Sequence, residues 1–272
     1  MNDTDVEALV DTTRDELRER ISRAFARFEG VARSADRKAR PPGSDWTVQE
    51  TVAHVVALTD RYFGAAEGTY RLAALPREVT ASNQSELDAS MAPVDELIDH
   101  LRAVTPRLDA LFDSVADEGR TLAFHCGAAV DGATWQSNWL GELLFHGHDI
   151  ARVANTPWEM PERDMLLVAR GMLQIAPAFV DTTISPDLEL RVIVKVPTAR
   201  PYLFYVHDRS IEARACRPGD QADAVLRLPA STLMQLVYKR VGPIAAVGKG
   251  LRIVGGRRPW RALKLQSTYV MP

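Results

Sequence analysis

Two cysteines in 272 residues, Cys126 and Cys216, stand far apart and form no C-x-x-C pair. That excludes a disulfide framework and fits a reducing compartment. Positive charge is not in excess either. Against 36 Asp and Glu there are 33 Lys and Arg, a net −3 at pH 7, which over the whole chain gives nothing to neutralise a phosphate backbone or an anionic bilayer. No apolar run reaches the length of a membrane span, and the opening MNDTDVEAL is acidic where an export signal is basic and then apolar. The expectation is a cytoplasmic protein, monomer or dimer, with no nucleic-acid or membrane partner. Familiar catalytic signatures are missing as well: there is no G-x-S-x-G elbow and no H-E-x-x-H. The pair Gly248-x-Gly250 fails as a dinucleotide loop because Ile253 takes the third glycine's place.

What is present points to two domains. The length exceeds the commonest single-domain size, and a content of 46% hydrophobic and 25% charged residues suits a soluble core and surface. Helical periodicity predicts helices over Thr4–Ser34, from Thr47 to about Tyr70, from Val94 to about Val115, over Trp135–Asn155 and over Pro161–Phe179, with polar or loop stretches at Ser82–Ser90 and Phe124–Ala133. Thr47-Val48-Gln49-Glu50 is a capping box. The pattern then changes to short strands: Leu188–Val196, Tyr202–Val206, Ile211–Ala215, Ala224–Leu228 and Leu251–Val254, with helices at Ser231–Lys239 and Pro259–Leu265. The fold class is α+β, an antiparallel four-helix bundle over residues 1–183 followed by a small α+β domain over 184–272, the boundary falling near Thr182–Pro186.

Three side chains stand out as metal donors: His54 on the second predicted helix, and Glu142 and His146 one turn apart on the fourth. Two neutral imidazoles and a carboxylate satisfy a divalent metal and leave a coordination position free, the plan of a catalytic site. A helical wheel puts Ser137, Gly141, His148, Arg152 and Asn155 in one solvent stripe, and sets Glu142, His146 and Asp149 beside Trp135, Trp139 and Phe145, facing an apolar interior. Ionisable groups buried there need partners. Coordination and a hydrogen-bonded polar core both meet that need, so geometry alone leaves the two open.

The segments Trp46-Thr47-Val48-Gln49-Glu50 with Ala53-His54, and Gly141-Glu142-Leu143-Leu144-Phe145-His146-Gly147-His148-Asp149-Ile150-Ala151, resemble the mycothiol-dependent maleylpyruvate isomerase family, whose N-terminal part belongs to the DinB-like metal-binding bundles. The stretch from Ala222 to Gly255 is similar to sterol-carrier-like domains. The resemblance implies a divalent metal, zinc in most relatives, on His54, Glu142 and His146, and a pocket role for Asp149 behind the ligands. It also implies mycothiol as cosubstrate. A metal with a free position acidifies a thiol, no protein nucleophile is evident, and addition of that thiol to an electrophile would give cis/trans isomerisation or S-transfer. For an anionic substrate Arg61, aligned with His54, is the first guanidinium candidate, and Arg240 and Arg252 of the small domain are the others. Two alternatives stand beside this enzyme: a small-molecule or lipid carrier with a structural metal, disfavoured because Arg227, Lys239, Arg240 and Arg252 interrupt any apolar tunnel, and a DinB-like metal hydrolase.

Overall fold

The computed structural model describes residues 8–181, 183 and 185–270. The expected helical stretch from Thr4 to Glu7, and Thr182 and Ile184 of the expected linker, lie outside them. The fold is α+β, with helices first and a sheet after.

Thr13–Met160 forms one compact unit. Four long helices make its bundle: α1 (Arg14–Ser34), α2 (Val48–Glu67), α4 (Val94–Asp117) and α5 (Gly132–Val153), with the shorter α3 (Pro76–Ala89) packed on α2. Helix α1 starts at Arg14 and not at Thr4, because the Thr13 hydroxyl accepts the Glu16 N–H and caps it. The capping box of α2 is present: Thr47 Oγ1 accepts from Glu50 N–H at 3.2 Å and the Glu50 carboxylate accepts from Thr47 N–H at 2.6 Å. Gly68, left-handed at φ 70°, ends that helix. Helix α3 replaces an expected polar stretch. Pro76 opens it and Glu78 accepts the N–H groups of Ala74 and Leu75, but only Val79, Asn83 and Leu87 carry its buried stripe beyond that proline, too thin a stripe to read as periodic. Between α4 and α5, β1 (Leu122–Ala123) and β2 (Ala129–Val130) pair antiparallel around a 3-10 turn, His125–Gly127.

The described residues of Met1–Thr12 and of Pro161–Pro272 form the other unit. It holds α6 (Glu162–Ile175), α7 (Ala230–Val237), α8 (Pro243–Gly248) and five strands, β3 (Leu190–Lys195), β4 (Tyr202–His207), β5 (Ser210–Ala215), β6 (Ala224–Arg227) and β7 (Arg252–Gly255). The sheet order is β5-β4-β3-β6-β7, antiparallel except for the parallel β3–β6 pair. Gly256 closes β7 at φ 109°, where a Cβ would lie 2.2 Å from the Asp223 carbonyl oxygen. The compact units therefore divide after Met160, whereas the sequence places the boundary at 183. The Glu162 carboxylate accepts the N–H groups of Ala230 and Ser231 at the start of α7, which ties α6 to the sheet unit. Arg200 likewise grips Asp11 at 2.9 and 3.1 Å.

Within this unit an apolar cavity of about 110 Å³ lies among Phe204, Leu226, Leu233, Leu251 and Leu263. This corrects the expectation that cations interrupt such a space. Arg227, Lys239, Arg240 and Arg252 are all exposed and none lines it; on β6, strand alternation turns Leu226 inward and its neighbour Arg227 out. Among the described residues no helix is long and apolar enough to cross a membrane.

In the bundle, Gly147 of α5 carries the indole of Trp158, which donates to the Leu144 carbonyl at 3.0 Å; a Cβ on Gly147 would stand 2.3 Å from that ring. Gly147→Ala should therefore destabilise the protein by about 2 kcal/mol, the scale of overpacking, measured as a lowered urea midpoint. Unchanged stability would mean that the indole is free to leave.

Candidate metal centre

Helix α5 is buried on nearly all sides, with α1, α2 and α4 packed around it. Ser137 and Gly141, expected in a solvent stripe, are buried; the less covered positions in the middle of the helix are Glu142, His146 and His148. The wheel expectation is thus corrected. Neighbouring helices cover the small residues, and the donors face a gap, with side chains 16% (Glu142) and 13% (His146) exposed. Asp149 is buried, its Oδ1 3.7 Å from His148 Nδ1.

His54 of α2 meets them there. Glu142 Oε2 lies 3.1 Å from His146 Nε2 and 3.9 Å from His54 Nε2, and donor atoms of all three residues fall within 4.8 Å of one another. Tetrahedral bonds of about 2.1 Å to a shared ion set donor separations of about 3.4 Å, so small side-chain adjustments bring the three onto one ion. Polarity supports the fit. His54 is 4% exposed, its Nδ1 has no hydrogen-bond partner, and its Nε2 stands beyond hydrogen-bond distance of Glu142. Burial first, and then the nearby His146 and Arg61, push its pKa well below the usual 6.5. A neutral buried imidazole is ready to ligate and costly to leave unpaired.

Residues given no site role from the sequence complete the surroundings. The Tyr62 hydroxyl donates to Asn138 Oδ1 at 2.6 Å, and Asn138 Nδ2 donates to Glu142 Oε1 at 3.4 Å. Asn138 is one turn before Glu142, and Tyr62 two turns after His54, so helical spacing carried a signal for both. The Trp46 ring lies 4.7 Å from that of His54 and 6.4 Å from that of His146, its indole N–H donating to Gln84 at 2.9 Å. Arg61 is elsewhere employed. Buried, it donates to Glu86 and Asn83 at 2.6 Å each, and Glu86 also takes the Tyr70 hydroxyl. Arg240 and Arg252 belong to the sheet unit, where Arg252 donates to the carbonyls of Val247 and Leu251 at 2.8 Å. Burial pushes both cysteine thiols up, Cys126 to about 11.

The family described as the mycothiol maleylpyruvate isomerase N-terminal domain matches residues 18–151, and these include all three donors. The match covers the bundle, just under half of the chain. Across both units it shares the fold of a crystal structure of the mycothiol-dependent maleylpyruvate isomerase, at 15% identity and a TM-score of 0.54, covering 90% of this chain and 95% of that one. A point mutant of the same isomerase matches at 13% identity with the same coverage and TM-score. No curated protein matches. The matching family is named for an enzyme, and the low identities confine the structural likeness to the fold.

Asn138→Ala frees the Glu142 carboxylate and should weaken metal affinity 10- to 100-fold, read by chelator competition, with the stability of the metal-free protein as control. His125, buried in the turn before β2, accepts the Ala73 N–H on Nδ1 at 3.0 Å. Burial, and then the charge of Arg61, lower its pKa to about 4. The unfolded chain takes up this proton near pH 6.5 and the folded one only near pH 4, so stability is full above 6.5 and falls toward pH 4 by about 3 kcal/mol. Urea unfolding at pH 7 and pH 4.5 checks this; a His125→Asn variant with the same pH slope as wild type would refute it.

Proposed function

We propose that the chain is a metal-dependent, mycothiol-dependent isomerase or S-transferase acting on a small electrophilic, carboxylate-bearing substrate. The reading rests on one observation, the convergence of His54, Glu142 and His146 at a partly open gap in a bundle that matches this family. Two imidazoles and one carboxylate suit zinc among the available divalent ions. Such an ion, when bound, acidifies a thiol that takes its free position, so that thiolate forms at neutral pH.

The chain's own residues set the conditions. Burial keeps His54 neutral and able to donate its lone pair. The Tyr62–Asn138 relay aims the Glu142 carboxylate, and the Trp46 ring shields the two imidazoles from water. Arg61, committed to Glu86 and Asn83, acts through its charge, which disfavours protonation of His54. Neither cysteine supplies a nucleophile, since both thiols are held above their usual range. An external thiol fills that role, and the matching family is named for mycothiol. Its thiolate sulfur adds to an alkene carbon of the substrate and the π pair moves onto the conjugated carbonyl as an enolate; rotation and expulsion of the same thiolate re-form the double bond as the trans isomer, whereas proton uptake at carbon leaves an S-conjugate.

Purified protein should hold one transition metal per chain, and His146→Ala should lose it, by elemental analysis. Mycothiol should then shift the visible spectrum of cobalt-substituted protein saturably, and maleylpyruvate should isomerise only when both metal and thiol are present. Wild type without metal sinks the whole reading. An unmoved cobalt spectrum keeps the metal and removes the thiol.

A further inference from the structure

Charge along this chain is segregated. After Asp223 there is no Asp or Glu, while residues 224–272 carry nine Lys and Arg; a net −3 for the whole leaves −12 on the first 223 residues. Exposed apolar groups collect in the same stretch. Among the described residues seven large hydrophobics are exposed, and six of them fall between 244 and 263: Ile244 (89%), Val247, Ile253, Val254, Trp260 (66%) and Leu263. Isolated exposed hydrophobics are ordinary, whereas a concentration of this kind marks an interaction surface.

The apolar cavity of the sheet unit brings two of these six, Ile253 and Leu263, to one place. Pro243 at the head of α8, Ile253 of β7 and Leu263 of the C-terminal 3-10 segment (Pro259–Ser267) all line it. Ile253 and Leu263 are also 49% and 60% exposed, so they stand at its mouth. The 3-10 segment repeats every three residues. Trp260, Leu263 and Gln266 form one column, and Leu263 and Gln266 of that column line the cavity. Arg261 and Lys264 form another. Arg261 is occupied by Asp223 at 3.2 Å and by the Glu189 carbonyl, but Arg257, Arg258 and Lys264 are exposed. The result is an apolar mouth with Ile253 and Leu263 at its rim, Trp260 one 3-10 turn before Leu263, and exposed cations on the same stretch of chain, which itself holds no carboxylate.

We propose that the cavity rim, from α8 through β7 to the 3-10 segment, is a docking surface for an anionic lipid bilayer. Branched aliphatics and an exposed indole suit the boundary between headgroups and acyl chains, and the cations suit the negative leaflet surface. The same cations beside aliphatic tips, without stacking aromatics in series, fit a nucleic acid poorly. This surface lies in the sheet unit and stands independently of the metal chemistry.

The full-length, metal-loaded protein is sedimented with phosphatidylcholine vesicles containing or omitting phosphatidylglycerol. It should pellet with the anionic vesicles and be released by salt. The triple variant R257Q/R258Q/K264Q should weaken binding roughly a hundredfold, about fivefold per charge, and Trp260→Ser with Leu263→Ser should weaken it at least about tenfold with an unchanged circular dichroism spectrum. Tryptophan emission should shift to the blue with anionic vesicles in wild type and not in Trp260→Phe. Three outcomes overturn the proposal: no sedimentation with anionic vesicles at low salt; duplex DNA bound more tightly than vesicles at equal salt; or a lipid-free dimer abolished by Leu263→Ser, which assigns the patch to a second copy of the chain.

Discussion

A helix walled in by its neighbours can hold ionisable groups only where the walls stop, and that constraint governs the bundle unit. Helix α5 meets α1, α2 and α4 on its other sides, so Glu142 and His146 look into the remaining gap. Helix α2 completes the set by placing His54 against them. An imidazole this well buried, with one nitrogen unpartnered and protonation suppressed, is a poor packing residue and a good ligand. The Tyr62–Asn138 relay and the Trp46 wall make sense around such a ligand.

The helices with broad apolar stripes were legible from periodicity, and so was the start of α2, because Thr47 and Glu50 bond as a capping box must. The three donors were legible as residue types at a telling spacing. Their environment was not. A helical wheel assigns faces by assuming one wet side, and α5 has no continuous wet side: Ser137 and Gly141 went inside and the donors turned toward an opening. Helix α3 escaped because its buried stripe is one residue wide. The place of α6 escaped because what ties it to the sheet unit is the Glu162 cap on α7, a tertiary contact between residues far apart in sequence.

The sheet unit repeats the lesson with charge. A composition close to neutral hides a chain that is acidic for most of its length and wholly basic in its charged residues at the end. Cations that looked like interruptions of an apolar interior stay outside it, leaving the cavity lined by apolar side chains with exposed aliphatics at its edge.

The shielded thiols of Cys126 and Cys216 have a bearing on durability. With Cys126 held near a pKa of about 11, only about one molecule in ten thousand carries its thiolate at pH 7. Attack on a disulfide requires that thiolate. At Cys126 the attacking form is thus scarce, and capture of this side chain as a mixed disulfide by an oxidised small thiol is slowed to the same degree.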